Sequence, residues 1–342
     1  MKQVKILEPG KVVVEEAEMP VLTEGNAIIK ILYGGICGSD AGTYGGTFLY
    51  ADYPRIPGHE LSGVVVDVDE DNEYGIRKGM VVTMNPYFNC GSCYSCERGH
   101  VNCCEHNETM GAQRDGGFRE YISMPLYKIY DGKGLSALEL AAIEPFCIGY
   151  HAAKRGQIKE GDKVLVIGAG TIGYLAAMSA KLLGGEVYVC DVAPDKLAGA
   201  ERIGIAGTIL NTDPDTFNAR VKEITGGKGF DVCMEAVGLP STFQNAIDAA
   251  AFQGRVVVIG VGKRSLDFFY TVIQTKELNI MGSRNALPED FTELIDYVKE
   301  GRADVKSVVS KVYPVDQAAE AFEDFKQHSN TLLKVQICFA EE

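Results

Sequence analysis

Four cysteines, Cys90, Cys93, Cys96 and Cys104, stand in one polar stretch with gaps of two, two and seven residues. Each Cys-x-x-Cys sets two sulfurs on one tight turn, and four thiolates from a single lobe can close a tetrahedron around Zn²⁺. The neighbours Asn89, Gly91, Ser92, Ser95 and Gly99 are turn formers, with no apolar period among them that would bury the sulfurs as core. Four unliganded thiols are the plain alternative, and the spacing disfavours it. The expectation is a closed, structural zinc in a lobe at about residues 88–106.

A second chemistry lies in Gly168-Ala169-Gly170-Thr171-Ile172-Gly173, which follows the apolar run Lys163–Ile167 and opens the amphipathic stretch Ile172–Leu183. The first glycine makes the turn, the second admits a pyrophosphate to the backbone, and the third lets helix pack on strand. Amides at the helix start then meet the phosphate charge. Asp191 ends the next apolar run, eighteen residues after Gly173. A carboxylate there accepts hydrogen bonds from the ribose hydroxyls and repels a 2′-phosphate. Val192-Ala193-Pro194 offer no arginine to hold such a phosphate, so NAD is expected rather than NADP. A glycine turn beside a solvated aspartate is the alternative, and the order strand, loop, helix, acid speaks against it.

A third set is scattered: Cys37, His59, Glu60 and Glu144. A catalytic zinc takes three protein ligands of mixed nitrogen, sulfur and oxygen type and keeps one position open. Alone, Cys37 reads as a small buried hydrophobe and Glu144 as a surface carboxylate. Glu144, however, sits in Ala141-Ala142-Ile143-Glu144-Pro145-Phe146, an apolar setting that disfavours an unpaired charge.

These groups need elements to position them. Residues 1–150 are strand-and-turn material, with Val12-Val13-Val14, Ala27–Leu32, Gly63–Val66 and Met80–Thr83 separated by glycine, proline and acidic turns. Residues 151–284 change rhythm. Short apolar runs at Val164–Ile167, Val187–Cys190, Thr208–Leu210, Asp231–Glu235, Val256–Ile259 and Leu278–Met281 alternate with helix-length stretches such as Lys196–Ile203, Phe217–Thr225 and Ser241–Ala251. That alternation predicts an α/β fold whose second domain is a doubly wound parallel sheet of the Rossmann kind. The helix-like Asp290–Glu300 and Ala318–Gln327 and the strand-like Leu332–Ile337 have no place in that sheet, so residues 285–342 are expected to return to the first domain.

The 342 residues carry a formal net charge of −14, which argues against nucleic acid or an anionic membrane as the main partner. No N-terminal apolar segment reads as a signal and no run is long enough to cross a bilayer. Ten cysteines without a signal suit a reducing compartment, and the expected location is the cytoplasm.

Several motifs in order, Gly35-Ile36-Cys37-Gly38-Ser39-Asp40, Pro57-Gly58-His59-Glu60, the cysteine lobe, Asp115-Gly116-Gly117-Phe118 and Val166–Gly170, make the whole chain resemble the zinc-dependent medium-chain dehydrogenases. Ile143-Glu144-Pro145-Phe146 is similar to the polyol branch that includes sorbitol dehydrogenase, where glutamate replaces a second cysteine. Gly282-Ser283-Arg284-Asn285-Ala286 with Pro288-Glu289-Asp290-Phe291 resembles the bacterial sugar-acid dehydrogenases, such as the L-galactonate and L-gulonate 5-dehydrogenases. The resemblance implies a GroES-like β-rich catalytic domain and two Zn²⁺ per subunit, with NAD as cofactor. It makes Cys37 and His59 zinc ligands and lets Glu60 and Glu144 divide two jobs, one completing the metal shell and the other binding the water there. Ser39 matches a proton-relaying hydroxyl, Asp40 a supporting carboxylate, and Cys104 rather than Cys103 the fourth cysteine. The family often has a histidine five residues after its catalytic cysteine, where this chain has Gly42.

The expected activity is hydride transfer between NAD and a secondary hydroxyl of a sugar acid or polyol. Gly168, Gly170, Thr171, Ile172, Gly173, Asp191, Val237 and Arg284 are the cofactor candidates, and Tyr44, Phe48 and Arg284 the substrate candidates. Tyr50 is a further pocket candidate, Arg55 a further candidate to hold a carboxylate, and His151 a candidate near the nicotinamide. Alternatives are a sorbitol- or xylitol-type enzyme, an L-threonine dehydrogenase-like enzyme, a zinc-ribbon protein that binds nucleic acid, and a relative without turnover. The resemblance also implies a homodimer or homotetramer.

Overall fold

In the seven-stranded sheet that carries the first unit, the strand Asn26–Gly35 lies centrally and is buried along most of its length, as its apolar Ala27–Leu32 run requires. The computed structural model describes residues 1–262 and 264–340. It divides into a unit formed by Met1–Glu144 with Leu287–Glu342 and a unit formed by Pro145–Ala286.

The first unit's sheet runs in the order Val309–Pro314, Lys334–Cys338, Asn26–Gly35, Glu60–Val68, Val81–Met84 and Ile129–Asp131, with Tyr121–Pro125 also paired to Asn26–Gly35. Two of these strands come from beyond residue 300, and only one was expected there. Val309–Pro314 carries no strand signal, because none of its six residues is buried and it shows no inward apolar run. Ile29, Ile31, Leu61, Phe118, Phe322 and Ile337 share one apolar core, which ties the C-terminal segment to the N-terminal one. Burial of side chains this size stabilises by about 1.5–3 kcal/mol each.

The second unit is a six-stranded parallel sheet in the order Gly207–Leu210, Glu186–Asp191, Lys163–Ile167, Phe230–Glu235, Ala250–Val258 and Asn279–Gly282. The strand order reverses on either side of Lys163–Ile167, the place where such sheets bind ligands at their carboxyl ends. All six apolar runs fall on strands. The helix expected to reach Ala251 instead spans Pro240–Ala249, because Ala250 already enters the next strand and pairs with Phe230. Prolines at the first turns of Pro194–Glu201, Pro214–Thr225 and Pro240–Ala249 fit positions where no intrahelical N–H is needed. No helix among the described residues is long and apolar enough to cross a membrane.

Candidate active site

Strand pairing assembles the scattered set. Gly35 at the end of Asn26–Gly35 pairs with Glu60 at the start of Glu60–Val68. Cys37, two residues past the first strand, is thereby brought to His59 and Glu60. One ligand atom from each of the three lies within 4.8 Å of the others. Glycine is required at 35: a Cβ there would come 2.1 Å from Glu60 Oε2.

Asp40 fastens the two loops. Its carboxylate accepts from the backbone N–H of Cys37 at 2.9 Å and of Gly58 at 3.3 Å, and lies 4.0 Å from His59 Nδ1. Burial raises the proton affinity of this aspartate. Burial alone would lower that of His59, but the Cys37 sulfur and Asp40 outweigh it and hold the imidazole well above its ordinary value. Glu60 Oε1 accepts from Lys334 Nζ at 2.6 Å, and the same ammonium donates to Ile36 O at 3.0 Å. Lys334 had not been singled out in the sequence.

The donor set fits a metal. His59 Nδ1 and Glu60 Oε2 are buried without a hydrogen-bond partner. Orphaned buried nitrogen and oxygen beside a thiol are costly unless a cation satisfies them. Sulfur, imidazole and carboxylate together suit zinc.

Glu144 is not one of the three, though His59 and Glu60 both act on it. Burial, reinforced by Glu60 and opposed by His59, raises its pKa to about 7. It lies in the first turn of the helix Ile143–Arg155, with its oxygen accepting from the Tyr87 hydroxyl. A turn-rich segment had been expected there. The helix accommodates Pro145 because it falls in the first turn, where proline is tolerated. The segment beyond Cys37 is likewise helical, over Gly38–Tyr44, and places Ser39 half-buried in its first turn.

Among the substrate candidates, Tyr44 is a correction. It is 7% exposed, belongs to the apolar core, packs against Phe322 and donates to Glu323 at 2.7 Å, so it does not line an open pocket. Phe48 is half-buried and meets Tyr50 edge-on, with ring centroids 5.6 Å apart. Arg55 is engaged by Asp115 at 3.4 Å and Asp52 at 3.6 Å. A Cβ at Gly42 would lie 3.3 Å from that of Phe48, so the loop after the helix folds back closely where the family often has histidine. His151 is buried in the helix Ile143–Arg155.

Cys90, Cys93, Cys96 and Cys104 form the second compact group, their ligand atoms all within 4.8 Å, and Cys103 stands exposed outside it. The Cys104 sulfur accepts from the backbone N–H groups of Cys90 and His106, both at 3.3 Å. A backbone hydrogen bond from Ser92 holds the Cys90 thiol down at about 6. Such a donor favours the thiolate, the form that binds metal, at Cys90, whereas burial raises the Cys104 thiol to about 11 despite its two N–H donors.

In the second unit, Gly168 takes φ 102°, a conformation that favours glycine, between Lys163–Ile167 and the helix Thr171–Leu182. A Cβ at Gly173 would come 1.7 Å from Gly168 O. Thr171, Ile172 and Gly173 form the helix's first turn. Asp191 accepts from the backbone N–H of Ala169 at 2.7 Å and of Ala193 at 2.9 Å, which fixes its carboxylate beside the loop. Gly168, Gly170, Asp191, Val192, Lys196 and Val237 help line a cavity of about 560 Å³. Lys196, five residues past the expected ribose acceptor Asp191, was not among the cofactor candidates. Arg284 follows the strand Asn279–Gly282 and is not part of that lining.

Known proteins resemble the chain along nearly all of its length. The family model of the alcohol dehydrogenase GroES-like domain matches residues 23–132, and that of the zinc-binding dehydrogenases matches residues 171–300. L-galactonate-5-dehydrogenase of Escherichia coli K12 is 34% identical over 333 residues, covering 97% of each chain. A sorbitol dehydrogenase of Halalkalibacterium halodurans is 31% identical, covering 93% of each. The crystal structure of the alcohol dehydrogenase RspB from Escherichia coli CFT073, complexed with NADH, superposes with a TM-score of 0.91 at 29% identity over 99% of both chains.

Proposed function

The chain belongs to the zinc-dependent medium-chain alcohol dehydrogenases, oxidoreductases acting on CH–OH donors, and from that premise we propose that it oxidises a secondary hydroxyl of a sugar acid or polyol with NAD. The observation that carries the reading is the group Cys37, His59 and Glu60 with its two buried, unsatisfied polar atoms. Cys37, His59 and one of the carboxylates Glu60 and Glu144 would hold the catalytic zinc. Zinc bound there supplies a Lewis acid that makes a substrate hydroxyl acidic near neutral pH. Ser39 would relay the hydroxyl proton, accepting it on Oγ while passing its own on to water, and bound nicotinamide would supply the hydride acceptor. A carboxylate in place of a second thiolate makes the donor set harder, which suits oxygen-rich substrates. The four-cysteine lobe would hold the structural zinc.

The 34% identical galactonate enzyme supports hexonates over plain polyols, and a bidentate guanidinium is the chemistry a substrate carboxylate would call for. The purified, zinc-loaded protein should be offered hexonates, sorbitol, xylitol and L-threonine with NAD while NADH is followed at 340 nm. Robust turnover of sorbitol with none of any hexonate would end the sugar-acid reading.

Asp191 would select the cofactor. Asp191→Ala removes an acceptor for the ribose hydroxyls, and loss of a charged hydrogen bond is worth about 1.5–3 kcal/mol. KM for NAD should rise by roughly tenfold to a hundredfold. Discrimination against NADP should narrow with it. Unchanged cofactor kinetics would remove Asp191 from the ribose site.

A further inference from the structure

We infer that Tyr87 is a positioning residue of the catalytic metal centre, its hydroxyl holding Glu144 where a carboxylate oxygen serves the metal held by Cys37 and His59. The inference rests on the functional reading above. Each acidic residue of the centre has its own tether. Lys334 holds Glu60 through one oxygen, and Tyr87 does the same for Glu144. Glu144 is 3% exposed, so a donor lost there is not replaced by bulk water.

Tyr87 is itself clamped on both sides of its backbone. Its N–H donates to Asn85 Oδ1 at 2.9 Å, and its carbonyl accepts from the buried Lys128 ammonium. Asn85 is in turn tied to Lys128, donating to its carbonyl at 2.9 Å. Two buried residues, Asn85 and Lys128, therefore fix the backbone from which the phenol reaches Glu144. Tyr87 also lies in the short strand Tyr87–Phe88, three residues before Cys90, and pairs with Thr109, five residues after Cys104. The ends of the cysteine lobe are thus joined at the residue that holds Glu144. That pairing ties the lobe to the second metal centre, which a structural zinc alone would not require.

The test is Tyr87→Phe, which keeps the ring and removes only the donor. Changing a group that orients a metal ligand typically costs about tenfold to a hundredfold in metal affinity. The variant, loaded with zinc and challenged with graded chelator, should therefore lose one of its two zinc ions at about tenfold or more lower chelator concentration, with the four-cysteine ion retained. Its Co²⁺-substituted form should show an altered visible spectrum for that centre. Tyr87→Gln, which restores a donor, should recover part of the retention. A Tyr87→Phe protein that keeps both ions as firmly as the parent, with an unchanged Co²⁺ spectrum, overturns the inference while leaving the functional reading standing. A parent protein that binds only the cysteine-lobe ion sinks both. Equal loss of both ions would show general loosening of the unit and would also overturn it.

Discussion

His59→Ala protein is expected to fold, bind NAD with unchanged affinity and turn over its substrate at least roughly a thousandfold more slowly, since metal-centred charge stabilisation is worth several kcal/mol. His59 offers the only nitrogen of the Cys37, His59 and Glu60 group. Its loss leaves a thiol and a carboxylate, too few donors for a tetrahedral site with an open position. The NAD loop belongs to the other compact unit, so NADH fluorescence titration should give a parental Kd. Elemental analysis should find one zinc ion instead of two. Cys93→Ser is the contrasting case: it should lower Tm and zinc content through the four-cysteine lobe, with little change in kcat per folded molecule. If His59→Ala kept the parental rate, the metal role would be lost.

What could be read from the sequence is what is local in it. The four cysteines span residues 90–104 and the glycine loop spans 168–173, so spacing alone specifies their geometry. Alternating apolar runs gave the parallel sheet, because a strand buried on both faces leaves a continuous hydrophobic signature. The Cys37 group is different. It exists only through the antiparallel pairing of Asn26–Gly35 with Glu60–Val68, and residue types alone would have left Cys37 as core. Tyr44 was misread for a physical reason. Gly38-Ser39-Asp40-Ala41-Gly42-Thr43-Tyr44 has poor helix propensity, yet Asp40 accepts from the Cys37 N–H and caps a short helix that turns the tyrosine into the core. Tyr87 and Lys334 were invisible because their partners lie 57 and 274 residues away. A lysine beginning Lys334-Val335-Gln336-Ile337-Cys338 looks like an ordinary solvated strand end.

That lysine should be among the most expensive side chains in the first unit to remove. Lys334 is 2% exposed and its partner Glu60 is wholly buried. Burial alone would discharge the ammonium, but the Glu60 carboxylate, helped by Cys37, raises its proton affinity above the ordinary value, so it stays charged. Replacing it by methionine keeps the volume and strands the Glu60 charge. Breaking one side of a buried pair costs about 3–5 kcal/mol. The zinc-free Lys334→Met protein should therefore melt roughly 10 °C below its parent. Glu60→Gln in the same chain removes the stranded charge and should return much of that loss, because replacing both partners by neutral groups of similar size is often close to neutral. The Ile36 carbonyl loses its ammonium donor in both proteins, so recovery should stop short of complete. A single variant as stable as its parent, or a double variant no better than the single, would show that the charge on Glu60 is not what Lys334 offsets.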